Sequence, residues 1–287
     1  MRIRLLLDYD GTNYHGFQIQ ENAASIQEEL ERAIEAAGGG VCRIDGAGRT
    51  DAGVHALGQV AAFTTSASIP GERWAQILNH YLPPDIHVQE SSEENESYHP
   101  RFLPHTKTYL YQIFCGQRGK GIHQRYACCI RFPLDVGKMQ RVCADLLGEH
   151  DFRAFCATRS SVKQYVRTVL RCELCAEGDW LRLYVQANGF LYNMVRIIVG
   201  TLVDIGRGHL PEDTFREMIH TGKRSLGGKT APPQGLFLYE VEYLPGEWKQ
   251  GNAEYTEKRL TIRNEESILQ TIEKQKPLKR KEAVKRS

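Results

Sequence analysis

The chain opens on an apolar run from Ile3 to Tyr9, closed by the turn signal Asp10-Gly11, and this run reads as a strand. Ser25-Ile26-Gln27-Glu28 has the form of a capping box. After it Ile26, Leu30, Ala33, Ile34 and Ala37 recur at 3.6-residue spacing up to Gly38, which predicts a helix. Two short strands are predicted next, near Val41 to Asp45 and from Val54 to Phe63. Trp74, Ile77, Leu78 and Tyr81 share one face of a second helix, and Ile86 to Gln89 closes the unit as a strand. The predicted order is β-α-β-β-α-β.

From Thr106 the same order returns. A strand runs to Phe114, and a helix from Asp135 turns Val136, Met139, Val142, Cys143, Leu146 and Leu147 inward. Strands follow near Val166 to Cys172 and Trp180 to Ala187, then a long helix from Tyr192 to Ile205, a shorter one after Pro211, and a last strand from Leu236 to Tyr243. No residue-level repeat relates the halves, so the duplication is one of element order. That order is the ferredoxin-like, or split βαβ, layout of the α/β (α+β) class, shared with the RNA-recognition motif and built on mainly antiparallel sheets. The layout hosts many unrelated functions and implies none by itself. The polar stretch Ser91 to His105 reads as a linker, giving one ferredoxin-like domain over 1–105, a second over 106–248, and a polar tail over 249–287.

Composition adds bounds. The 287 residues, 41% hydrophobic and 25% charged, suit about two domains at roughly 150 residues each. Asp8 interrupts the N-terminal run too early for a secretory signal, and the most apolar stretch, Val195 to Ile205, is broken by Thr201 and Asp204 and falls short of the ~20 residues of a membrane span. A soluble, cytoplasmic protein is expected, with its eight cysteines as reduced thiols. Cys172-Glu-Leu-Cys175 has zinc-ribbon spacing, but no second pair follows, and on an alternating strand the two thiols point to opposite faces; no metal is expected. The net charge is +2. Residues 271 to 287 hold seven Lys or Arg against Glu273 and Glu282, a local +5 that leaves residues 1 to 270 at −3. Nucleic-acid binding by the body would therefore need a local basic patch.

Three segments carry candidate chemistry. Gly46-Ala47-Gly48-Arg49-Thr50-Asp51-Ala52-Gly53 is the densest punctuation in the chain. Gly48 to Gly53 has phosphate-loop spacing, but Val54-His55 stands where Lys and Ser or Thr are required. Asp51 occupies the third glycine's place in the dinucleotide pattern, so both nucleotide readings fail. What remains is a loop presenting Arg49 and Asp51, readable as a surface turn or as a site. On the strand from Lys107 to Ile113, Lys107, Tyr109, Tyr111 and Ile113 share a face, either as half-buried sheet residues or as a platform on which a base could stack. Arg196 interrupts an apolar helix and calls for a carboxylate partner, unless its stem reaches solvent at the helix edge.

Taken together, these segments resemble the tRNA pseudouridine synthase A family. The matching stretches include Tyr9-Asp-Gly-Thr-Asn-Tyr-His-Gly-Phe-Gln18, Gly48-Arg-Thr-Asp-Ala-Gly-Val-His55, Lys107-Thr-Tyr-Leu-Tyr111, Gly148-Glu-His-Asp-Phe152, Met194-Val-Arg196 and Gly235-Leu-Phe-Leu238, in the family's order. Phe17 replaces a usual Trp, Leu103-Pro104-His105-Thr106 replaces a more alanine-rich segment, and the basic tail is an extension. The resemblance implies two ferredoxin-like domains around a central basic cleft. It also implies a homodimer that converts uridine to pseudouridine at positions 38, 39 and 40 of the tRNA anticodon stem-loop, without metal or organic cofactor. Asp51 matches the family's catalytic aspartate, Tyr109 the tyrosine that stacks on the target base, Arg49 the arginine that displaces the nucleotide, and Arg196 the arginine that pairs with the aspartate. Alternative readings are an RNA-binding module without catalysis, a related enzyme acting on other RNA uridines, and, on fold alone, a ferredoxin-like metabolic enzyme.

Overall fold

A computed structural model describes residues 1–157 and 162–244. The tail expected over 249–287 lies outside the described residues. In chain order the elements are β1 (Arg2–Tyr9), α1 (Ile26–Ala36), β2 (Asp45–Gly46), β3 (His55–Thr64), α2 (Trp74–Tyr81), β4 (Ile86–Glu94), β5 (His105–Phe114), α3 (Lys120–His123), β6 (Cys128–Cys129), α4 (Val136–Val142), β7 (Gly148–Asp151), β8 (Val166–Glu177), β9 (Trp180–Ala187), α5 (Met194–Gly206), α6 (Thr214–Thr221) and β10 (Leu236–Tyr243).

All ten strands belong to one sheet, ordered β4-β1-β3-β10-β5-β9-β8-β7, with β2 on β3 and β6 on β5. The first four strands are ordered β4-β1-β3-β2, and β10-β5-β9-β8 repeats that order in the second half, as the split βαβ layout requires. Pairing is antiparallel except at β3–β10 and β5–β6. The sequence pattern did not foretell that the halves share a sheet. The seam exists because β2 is short: it takes Ala61 and Ala62 of β3 and leaves His55 and Ala56 open to Phe237 and Leu238 of β10.

Two expected boundaries move. The strand predicted over Val41 to Asp45 shrinks to Asp45–Gly46, because Val41 follows three glycines and is 87% exposed; Asp45 is held by Arg2 at 2.7 Å. The expected linker begins later, because Ser91 to Glu94 continue β4 against Arg2 to Leu5. Ser91 is buried there, and its hydroxyl accepts from Ala75 N at 2.8 Å, satisfying a free amide at the start of α2. Asn79 clamps α2 to the same strand by exchanging two 2.8 Å hydrogen bonds with Val88.

The helices bury most of their predicted faces; the exception in α2 is Tyr81 at its last turn, which is 48% exposed while Trp74 and Leu78 are buried. Ser25 caps α1 by accepting from Glu28 N, and Ile26, Leu30, Ala33 and Ile34 are buried below it. Met139, Val142, Cys143 and Leu146 point inward as expected, whereas Leu147 is 43% exposed, since the chain leaves the helical path there to start β7. Apolar on nearly every side, α5 is the buried helix of the second half. Among the described residues no helix is long and apolar enough to cross a membrane.

Candidate active site

The loop from Ala47 to Val54 enters β3 where that strand meets β10, and it is pinned on several sides. Ala47 N donates to Val60 O at 2.8 Å, Phe17 N to Thr50 O at 3.1 Å, Gly53 N to Tyr14 O at 3.2 Å and Val54 N to Asp51 O at 3.1 Å. Below it lies a buried polar network: Gln59 donates to Gly48 O at 2.8 Å, and the Tyr9 and Thr50 hydroxyls share a 2.8 Å hydrogen bond. The Asp10-to-Phe17 turn closes against the loop so tightly that Gly16, at φ +98°, would place a Cβ 2.5 Å from Thr50 O; only glycine serves there. Every one of these constraints acts on the loop's backbone or on Thr50. The Asp51 side chain is left one-third exposed, and among the described residues none donates it a hydrogen bond.

Arg196 approaches from the first turn of α5, its Nη1 3.8 Å from Asp51 Oδ2. That is an ion pair rather than a hydrogen bond. The guanidinium is oriented by other partners: Nε donates to Ala231 O and Nη1 to Asn193 Oδ1, both at 2.7 Å. Asn193 holds the left-handed conformation at φ 61° and does not cap α5 with its side chain, which is spent on Arg196. The arginine's direction is thus set before it meets the carboxylate, which is the preorganisation that electrostatic catalysis needs. Burial pushes the Asp51 carboxyl above its usual range, and Arg196 pulls it back only in part.

Tyr109 sits on β5 beside β10, 8% exposed, with the Phe190 ring edge-on at 4.9 Å. Burial, then the nearby Tyr9 and Asp51, push its phenol well up, so the hydroxyl is protonated at neutral pH. Tyr111, on the same face, is fully buried and donates to Pro232 O at 2.8 Å: it is a core residue, as the structural alternative held. Arg49 is exposed beside Asp51, and among the described residues it makes no ion pair.

The structure therefore brings Asp51, Arg196 and Tyr109 together, while Arg49 is exposed two residues from Asp51. Sequence reasoning missed the supporting roles of Asn193, Gln59 and the Tyr9–Thr50 pair. No local signal marked either role: Asn193 does not cap α5 with its side chain, and the members of the Gln59 network meet only in the fold. Cys172 and Cys175 lie on β8, the first buried and the second half-buried, and among the described residues no group of three or more His, Cys, Asp or Glu is placed to hold a metal ion.

Fold and site define an α+β protein whose candidate reactive group is a carboxylate at the joint between two split βαβ layouts, faced by an oriented arginine and a buried tyrosine. Comparison with known proteins makes this specific. The family described as tRNA pseudouridine synthase matches residues 6–103 and 142–244. Among similar proteins is a tRNA pseudouridine synthase A of Syntrophomonas wolfei, 48% identical over 84% of this chain and 97% of its own length. Those of Acetivibrio thermocellus and Brevibacillus brevis are 44% and 43% identical, each over 84% of this chain and 99% of their own. The chain belongs to the tRNA pseudouridine synthase A family.

Proposed function

We propose that this protein is an isomerase that converts uridine in tRNA to pseudouridine, with Asp51 as the reacting carboxylate. The observation that carries the reading is the rigid loop that holds Asp51 3.8 Å from a separately oriented Arg196, in a chain of this family. The uridines are those of the anticodon stem-loop at positions 38, 39 and 40, and the enzyme works as a cytoplasmic homodimer of chains whose halves, 1–105 and 106–248, act as two modules around the site. It uses no cofactor.

In the reaction the C1′–N1 bond breaks, the uracil turns, and C1′ joins C5; C5 gives up its hydrogen as a proton and N1 gains one, so nothing is oxidised or reduced. A carboxylate can serve by covalent attack at C1′ or at C6, or by stabilising positive charge at C1′. Asp51 must be ionised in each case, and Arg196 favours that form. The target uridine has to leave the helix first, and Arg49, exposed two residues from Asp51, is suited to fill the gap. Tyr109 stacks on the turned base. Its neutral phenol can take the C5 proton only while passing its own on, as a relay.

The test is tritium release from tRNA labelled at uracil C5, followed by mapping of the modified nucleotides. Release to water with pseudouridine at 38 to 40 supports the reading. Release with pseudouridine elsewhere refutes the site assignment, and no release from any tRNA refutes the activity.

A further inference from the structure

Several cations of this molecule have a carboxylate: the buried Arg2 meets Asp45 at 2.7 Å, the exposed Arg125 meets Asp10 at 2.7 Å, and the half-buried Arg196 meets Asp51. Lys107 does not. Two residues before Tyr109 on β5, it is half-buried, and among the described residues its ammonium makes no ion pair or hydrogen bond. Its side chain crosses the loop that carries Arg49 and Asp51: a methyl on Gly48 would lie 3.1 Å from Lys107 Cε and 3.4 Å from Nζ. Its β-sheet neighbours, Ala187 on β9 and Val241 on β10, carry no charge, and Glu242 beside Val241 accepts from Gln186. The charged or titratable groups that bear on it are Arg101, a second cation, and His105, which burial and then Lys107 push toward its neutral form.

An ammonium so placed loses part of its hydration and gains no acceptor from the protein, which favours a ligand that supplies one. Burial, then Arg101, pull its pKa down to about 8. Two cations without an anion, next to the loop where a nucleotide must be seated, make a position for an oxyanion. We propose that Lys107, with Arg101 beside it, receives a backbone phosphate of the RNA adjacent to the target nucleotide. This rests on the tRNA reading above and adds a binding residue to it.

Phosphate favours the charged amine, so binding takes up a proton once pH exceeds about 8, and affinity falls between pH 7 and pH 9. Of the groups nearby, His105 is neutral across that window, and the Tyr9 and Tyr109 phenols are pushed above it, to about 12 for Tyr9. An arginine at 107 stays charged throughout.

The experiment measures tRNA affinity against salt and pH, using the full chain with Asp51→Asn so that bound tRNA does not turn over. Adding Lys107→Gln should lower the slope of log K against log salt by roughly 0.7 to 0.9, the signature of one lost phosphate contact, while Lys107→Arg keeps it. From pH 7 to 9 the chain with Lys107 should lose affinity and the Lys107→Arg variant should lose distinctly less. An unchanged slope in Lys107→Gln, or an equal pH loss in Lys107→Arg, overturns the proposal. Should Lys107→Gln fail to fold by circular dichroism, the pH comparison with Lys107→Arg decides alone. A wild type that neither binds tRNA nor releases tritium takes down the tRNA reading too; a wild type that does both, with the slope unchanged in Lys107→Gln, removes only this inference.

Discussion

At the scale of single residues, Asp51 is held by competition between burial and Arg196, and burial prevails. Its folded pKa lies above its unfolded value, so the ionised form costs stability above the folded pKa, and the cost fades as pH falls through it. Asp51→Asn should therefore unfold in urea at pH 7 no more easily than the wild type, even though loss of turnover is expected of it. A less stable variant would mean that the carboxylate supports the fold. Arg196→Met removes the charge that opposes burial, so the acid limb of the kcat profile, where Asp51 gains its proton, should move to higher pH. An unmoved limb would separate the two residues functionally. For Tyr109→Phe we expect tRNA affinity close to wild type and turnover reduced by roughly 10²-fold or more, as loss of a proton-transfer group implies. Full turnover would leave the tyrosine as a stacking platform alone.

At the scale of elements, what could be read in the sequence was what is encoded locally. The capping box at Ser25 and the apolar stripe after it specify α1 without help from the rest of the chain, and β10 begins and ends where the sequence predicts. Ser25→Ala should accordingly lower stability by about 1 kcal/mol in chemical denaturation and leave kcat untouched; a change in kcat would tie α1 to the site. What could not be read was decided at a distance. Val41 has strand propensity but no partner, and Ser91 looks like linker until its hydroxyl is found capping α2. The site divides in the same way. Arg196 announced itself as a cation in an apolar helix, and Asp51 as a carboxylate in a failed phosphate loop. Asn193 and Gln59, which orient the arginine and fix the loop, have meaning only once α5 and β3 are in place.

At the scale of the whole molecule, the parallel seam between β3 and β10 explains why the site lies where it does. The Asp51 loop leads into β3, Ala231 and Pro233 lead into β10, and Tyr109 pairs with Leu238 of β10, so one junction gathers the carboxylate from the first half and its arginine and tyrosine from the second. Neither half alone carries the set. The central claim is that Asp51 is the group without which tRNA uridine is bound but not isomerised, and the direct measurement pairs tRNA affinity with C5 tritium release for wild type and Asp51→Asn. Equal affinity, within a few-fold, is expected, with release from the wild type only. Release by Asp51→Asn at a rate near the wild type's would contradict it.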